Sequence, residues 1–331
     1  MVSRALPRRA LIAGTGPSAI ARAARIDGVG HTPLVELRRL SAGLPARIAV
    51  KLESRNPTGS VKDRVAEALV ADAEEQGRLH AGCTLVMATS GNTGLALARV
   101  AAIRGYRVRL AVPAHWSHER LALLLYMGAD VAIADGDMRA AVARALQILA
   151  QTPDAVHLDQ FTAPANVDIH RRTTAEEIWR DTGGQVAAFV CGVGSGGTLT
   201  GVALGLRGRR PDLHVVAVEP SASPVLSGGK AGAHGIQGIG AGFVPPLLQR
   251  ELVSEITTVS DGDAYEWARR LARQEGILGG VSSGANIAAA MALARRKSMA
   301  GKLIVTVVSD SAERYVIAPP SDVRNSRGTR S

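Results

Sequence analysis

The sequence predicts an α/β protein built on two open, twisted, mostly parallel sheets flanked by helices. Strand-like and helix-like runs alternate along nearly the whole chain, the pattern of parallel β-α-β units. The strand-like runs, such as 84–88 and 186–191, are apolar rather than alternating, as strands covered on both faces are. The alternation also falls into two series, and 331 residues leave room for two cores. Two such series imply two α/β units with a cleft between them.

The elements follow in order. Residues 46–52 read as a strand, broken by the turn formers Pro57 and Gly59. Ser60 is a natural N-cap for a helix over 60–76, whose Val61, Val65, Leu69 and Val70 recur at helical spacing and which Gly77 ends. A strand over 84–88, a helix over 92–104 stopped by Gly105, a strand over 107–112, a helix over 117–127, a strand over 130–134 and a helix over 138–151 complete the first series. The second has a largely helical stretch over 165–180, a strand over 186–191, a helix over 197–207 and a strand over 214–218. The Gly-rich stretch 227–243 is too long for a mere connector, which points to a functional loop. A strand over 253–259, helices over 261–275 and 285–296 and a strand over 302–308 follow. The expected organisation is a basic extension over 1–26, a smaller mobile unit over 56–160, a larger unit formed by 27–55 with 161–318, and a polar, disordered basic tail over 319–331.

Composition narrows the function classes. The net charge is +10, but residues 1–26 hold +5 and 319–331 hold +2, leaving +3 on the body. No basic stripe interleaved with aromatics runs through that body, so nucleic acid is not an expected partner. No apolar run approaches bilayer length, so no membrane partner is expected either. Two cysteines, Cys83 and Cys191, lie in or beside apolar runs and read as buried reduced thiols, consistent with a cytoplasmic protein. No metal is expected.

The chemistry centres on Asn56-Pro57-Thr58-Gly59-Ser60-Val61-Lys62-Asp63-Arg64. Lys62 falls in the first turn of a helix, where the positive dipole end disfavours a cation. The dipole and any desolvation favour its neutral amine, the form that attacks an aldehyde. Gly192-Val193-Gly194-Ser195-Gly196-Gly197 follows a strand and opens a helix. Its spelling also fits a dinucleotide fingerprint, with Glu219 at the end of the next strand. The hydroxyls of Ser195 and Thr198 suit one terminal phosphate monoester, and no second dinucleotide half follows, so it reads as an anion cup. Thr89-Ser90-Gly91-Asn92-Thr93-Gly94 presents donors at another helix start, a good seat for a carboxylate, although Ser90 or Asn92 as an ordinary cap explains part of it. In Gly280-Val281-Ser282-Ser283-Gly284, one serine serves as a cap and the other faces the cleft. A lysine, a phosphate cup, a carboxylate loop and a neutral hydroxyl for a ring nitrogen together describe a pyridoxal phosphate site.

On these segments the chain resembles the cysteine synthases (O-acetylserine sulfhydrylases), within the fold-type-II pyridoxal phosphate enzymes, from about Gly30 to Tyr315. Ala163-Pro164-Ala165-Asn166, His170 through Trp179, Val218-Glu219-Pro220, His234 through Phe243 and Glu313-Arg314-Tyr315 extend the likeness. The resemblance implies that Lys62 is the Schiff-base lysine and catalytic base, with Asn92 on the cofactor's ring hydroxyl oxygen. It implies that Gly194, Ser195, Gly196, Gly197 and Thr198 hold the phosphate, Ser195 standing where threonine is usual. Ser282 becomes the partner of the pyridine nitrogen and Ser283 the helix cap. Thr89, Ser90, Gly91, Thr93 and Gln160 become the site for the substrate carboxylate. Gly238 to Gly242 line the approach of the nucleophile, with small residues as in the sulfide-using branch. The implied reaction is β-replacement of O-acetyl-L-serine with sulfide, giving L-cysteine and acetate, in a homodimer.

The chain departs from the family pattern at His31, Met87-Ala88, Ser309, Ala312 and the bulky His115-Trp116-Ser117-His118. These departures bear on substrate identity more than on chemistry. A related β-replacement enzyme using O-phosphoserine or another nucleophile is the alternative, with Arg120 and Lys230 as candidate phosphate partners. A catalytically minor binding or regulatory paralogue is the third reading, and intact Lys62, Asn92 and Ser282 count against it.

Overall fold

A computed structural model describes residues 28–89, 91–114 and 118–315. The expectations placed on 1–26, on Ser90, on 115–117 and on 319–331 lie outside the described residues, as does the side chain of Arg120.

Two separate sheets form. The larger has six strands, β1 (Leu34–Glu36), β2 (Arg47–Leu52), β7 (Val186–Gly192), β8 (His214–Pro220), β9 (Glu255–Val259) and β10 (Leu303–Val308), in the order β1-β2-β10-β7-β8-β9. All its neighbours run parallel except β1, which pairs antiparallel with β2. The smaller sheet has four parallel strands, β3 (Thr84–Ala88), β4 (Arg107–Pro113), β5 (Asp130–Ala134) and β6 (Ala155–His157), in the order β5-β4-β3-β6. The segment 155–157 was not expected as a strand. Three residues carry no periodic signal, and β6 exists through its register against β3, Thr84 facing Ala155 and Val86 facing His157.

Both faces of the larger sheet are covered, which explains why its central strands β7 and β10 are apolar almost throughout. Ile48, Val50, Val216 and Val218 point to one side, with Ile287 and Met291, while Ala49, Val215 and Ala217 point to the other, with Leu199 and Val202. Each such aliphatic side chain contributes about 1.5–3 kcal/mol on full burial. The helices are α1 (Lys62–Glu75), α2 (Asn92–Arg104), α3 (His118–Tyr126), α4 (Met138–Gln151), α5 (Pro164–Ile169), α6 (Ala175–Asp181), α7 (Gly197–Arg207), α8 (Asp261–Glu275) and α9 (Val281–Ala294). A π-helical turn, His170–Thr174, joins α5 to α6. Among the described residues no helix is long and apolar enough to cross a membrane. Cys83 and Cys191 are both buried and free.

One boundary is corrected. The last long helix begins at Val281, not at 285, so Ser282 and Ser283 lie inside its first turn. Gly284, inside this first turn, is a packing residue. A Cβ there would stand 1.9 Å from the Ala264 carbonyl oxygen, so its absence lets α9 lie directly on α8. Ser283 is consequently not a cap: Gly280 occupies that position, and the Ser283 hydroxyl accepts the Ser309 N–H at 3.0 Å.

The helix that starts at Lys62 is anchored by a buried ionic network. The Arg64 guanidinium donates to both carboxylate oxygens of Glu53 at 2.8 Å, and to Glu177 on α6 at 2.7 and 2.8 Å. Lys51, fully buried in β2, reaches Glu177 at 2.9 Å and Asp181 at 3.1 Å. Thr32 and Asn56 donate to the remaining lone pairs of Glu53 at 2.7 and 2.8 Å. Burial pushes the Glu177 carboxyl up, but the hydrogen bonds and charge of Arg64 and Lys51 outweigh it and hold it at about 2.

Arg64→Met leaves the buried Glu53 carboxylate without a cation and Glu177 with Lys51 alone, and is expected to lower the unfolding free energy by about 3–5 kcal/mol, read from urea denaturation. Because the folded Glu177 pKa lies below its ordinary 4.5, its stabilisation is present above that pH and lost as pH falls toward 2. Glu177→Gln is expected to flatten the stability-against-pH curve in that window.

Candidate active site

The candidate side chains sit where strands end and helices begin, the side on which open parallel sheets bind ligands. Lys62 opens α1 after β2, Asn92 opens α2 after β3, Gly194–Thr198 lead from β7 into α7, and Ser282 opens α9. The segment after β10 ties these starts together: Asp310 bridges to Ser60, Ser311 bridges to Gly279, and the Val61 N–H donates to Ser309 at 2.8 Å.

Local chemistry shapes the lysine loop. Gly59 takes the left-handed conformation (φ +75°) that the tight turn requires. Ser60 was expected at the cap position, which falls instead on Val61, but its hydroxyl does accept the Lys62 N–H at 3.2 Å. Asp63 closes the loop, accepting from the Thr58 amide at 3.1 Å and the Thr58 hydroxyl at 2.7 Å. Lys62 itself is half-buried. Burial holds its pKa below the ordinary lysine value, partly opposed by the acids Asp310 and Glu53. The direction matches the sequence argument that this amine is biased toward its neutral form.

Two expected partners of the carboxylate site are brought together: the Thr93 hydroxyl donates to Gln160 at 2.7 Å, both side chains being buried. The Thr89 hydroxyl satisfies two amides at this helix start, accepting those of Gly91 at 3.1 Å and Gly94 at 3.2 Å. Asn92 donates to Asp310 at 2.6 Å and accepts from Arg314, which also reaches the Thr58 carbonyl. Asp310 and Arg314 were given no role from the sequence, although the Glu313-Arg314-Tyr315 spelling marked the segment.

The cup is crowded, and this is why its glycines are needed. A Cβ on Gly194 would stand 2.5 Å from the Gly238 carbonyl oxygen, and one on Gly197 would stand 2.1 Å from Asn166 Oδ1. Gly196 takes φ +85° at the N-cap of α7. The amides of Gly197 and Thr198, in the first turn of α7, have no acceptor within the helix. Gly238, expected in the nucleophile loop, lies against the cup, and a Cβ on it would be 3.7 Å from Ser282 Oγ. Lys230 is exposed.

First-turn amides, two cup hydroxyls, a lysine biased toward its neutral form and a buried neutral hydroxyl at Ser282 fit pyridoxal phosphate. Residues 26–310 match the family described as "Pyridoxal-phosphate dependent enzyme". The protein is therefore a pyridoxal phosphate-dependent enzyme of fold type II. The chain is 51% identical to cysteine synthase 3 of Caenorhabditis elegans over 292 residues, covering 87% of each chain. It is 47% identical to cysteine synthase A of Escherichia coli K12 over 299 residues, covering 87% of this chain and 92% of the other. Its structure superposes on the crystal structure of a cysteine synthase from Entamoeba histolytica with a TM-score of 0.84, at 38% identity and with 95% and 92% of the two chains covered. The chain belongs to the cysteine synthase family.

Gly197→Ala forces a methyl group into the Asn166 amide. Overpacking of this kind costs about 1–3 kcal/mol, so pyridoxal phosphate affinity is expected to fall roughly tenfold or more in an absorbance titration of the refolded apoprotein.

Proposed function

We propose that the chain forms L-cysteine and acetate from O-acetyl-L-serine and sulfide. The observation that supports this reading is the Thr93–Gln160 pair, with Gly238 of the loop 238–242 lying against the cup. The cysteine synthases named above support it.

Bound pyridoxal phosphate supplies an electron-withdrawing ring that stabilises negative charge at the substrate Cα. The cup Gly194, Ser195, Gly196, Gly197 and Thr198 holds its phosphate, Asn92 its ring hydroxyl oxygen and Ser282 its ring nitrogen. A hydroxyl at Ser282, unlike a carboxylate, leaves that nitrogen unprotonated and so favours prompt loss of the leaving group over long-lived charge at Cα. Thr89, Ser90, Gly91, Thr93 and Gln160 seat the substrate carboxylate. Lys62 would hold the resting cofactor covalently until the substrate amino group takes its place there, and the freed neutral amine of Lys62 then takes the Cα proton as general base. The Cβ–O bond breaks with its electron pair leaving on acetate, sulfide forms the new Cβ–S bond, and Lys62 returns the proton to Cα. The Gly238–Gly242 backbone leaves room for a small nucleophile. Closure of the unit over 56–160 onto the rest of the chain excludes water from the step. A cytoplasmic homodimer is the proposed form, the two buried free thiols supporting a reducing compartment.

The test is a visible spectrum of the purified protein with pyridoxal phosphate, repeated with O-acetyl-L-serine and then with sulfide. A band that shifts with O-acetyl-L-serine and returns with sulfide, alongside cysteine formation, is the expected result. Lys62→Ala is expected to lose that shift and to slow cysteine formation roughly a thousandfold or more. A protein that responds to O-phosphoserine but not to O-acetyl-L-serine would overturn the substrate.

A further inference from the structure

Two buried side chains behind the phosphate cup have no place in the reaction just derived. Asn166 on α5 and His170 at the start of the π-helical turn lie four residues apart, and both are fully buried. The Asn166 side-chain amide donates to the Gln160 carbonyl at 2.7 Å and to the Ser195 hydroxyl oxygen at 3.0 Å. The Gln160 carbonyl can only accept, so it fixes which way the amide faces, and both Asn166 N–H groups are then in use. Ser195 accepts from one of them, and its own hydroxyl proton is left to point elsewhere. The His170 ring stands in a similar place toward the other hydroxyl: Nε2 is 3.1 Å from Thr198 Oγ1 and Nδ1 is 2.9 Å from Thr174 Oγ1.

A neutral imidazole has one donor nitrogen and one acceptor, so this chain of three groups can run in two directions. In one, Thr198 donates to Nε2 and turns its lone pairs into the cup. In the other, Thr174 donates to Nδ1, Nε2–H donates to Thr198, and the Thr198 proton faces the cup. A phosphate offers only acceptors, and it selects the second direction. Burial, reinforced by the Arg64 charge, holds the His170 pKa at about 3, so the ring stays neutral and keeps one N–H.

We propose that Asn166 and His170 are positioning residues that aim the hydroxyl protons of Ser195 and Thr198 at the cofactor phosphate, with His170 in its Nε2–H tautomer. This rests on the pyridoxal phosphate reading of the cup. It also gives the π-helical turn a purpose. The turn carries His170 at its first residue and Thr174 at its last, so the imidazole and the hydroxyl that sets its tautomer come from one irregular segment, and such turns are frequent at functional sites.

The experiment has two arms. Nitrogen-15 NMR of histidine-labelled protein loaded with pyridoxal phosphate is expected to show His170 protonated at Nε2; protonation at Nδ1 would overturn the proposal. In pyridoxal phosphate titrations of apoprotein, His170→Leu is expected to weaken binding about tenfold, the worth of one oriented hydrogen bond. His170→Gln, which keeps an N–H near the Nε2 position, is expected to stay within about threefold of the unaltered protein. Adding His170→Leu to Thr198→Val is expected to cost less than about twofold more, because the imidazole acts through that hydroxyl. Asn166→Ala with Ser195→Ala is expected to couple in the same sense. Losses that simply multiply would mark the two residues as structural and sink the proposal. If His170→Leu does not fold, the tautomer and His170→Gln decide. An unaltered protein that binds no pyridoxal phosphate would instead bring down the cofactor reading, and this inference with it.

Discussion

The Arg64 guanidinium, held between the carboxylates of Glu53 and Glu177, is the interaction on which the site depends. It lies two residues beyond Lys62, so the pair that fixes Arg64 also fixes the start of α1 against the end of β2 and the face of α6. A fully buried cation is costly alone, and here it is tolerated because two acids and their own donors, Thr32, Asn56 and Lys51, satisfy the whole cluster. The network lies beneath a lysine whose own amine has no ion-pair partner at hydrogen-bond distance among the described residues. Burial can then lower its pKa, which a direct salt bridge would oppose.

The same division of labour recurs at the cup. Glycine at 194, 196 and 197 lets the cup backbone pack closely, and the space that their missing side chains leave is taken by the Gly238 carbonyl, Leu248 and Asn166. The cup is thus one half of a packed interface whose other half comes from elsewhere in the chain. Asn166 contacts both Gln160 and Ser195, so a single buried amide joins the proposed carboxylate site to the proposed phosphate site. Orientation at both places is set by groups that never touch the substrate.

Much of this was legible in the sequence. Long runs such as β7 and β10 announce themselves because strands buried on two faces need apolar side chains at every position. The glycine and hydroxyl spelling of 194–198 is readable because an anion cup restricts residue type locally, at consecutive positions. The start of α9 was misplaced for the opposite reason: only the approach of α8 shows that Gly284 belongs inside the helix and serves packing. Likewise β6 is three residues long and is a strand only because β3 lies beside it.

What the sequence by itself determined, then, is the alternation of elements, the place of Lys62 at the start of a helix, and the residue types that each strand-to-helix loop presents. These are matters of periodicity and of residue types at adjacent positions. Tertiary structure decided which loops meet, and which distant side chains orient them: Asp310 and Arg314 on Asn92, Asn166 on Ser195, His170 on Thr198. Those pairings span tens to hundreds of residues, and a hydrogen bond leaves no periodic trace along the chain. They become visible only once the parallel sheets have set their carboxyl ends side by side.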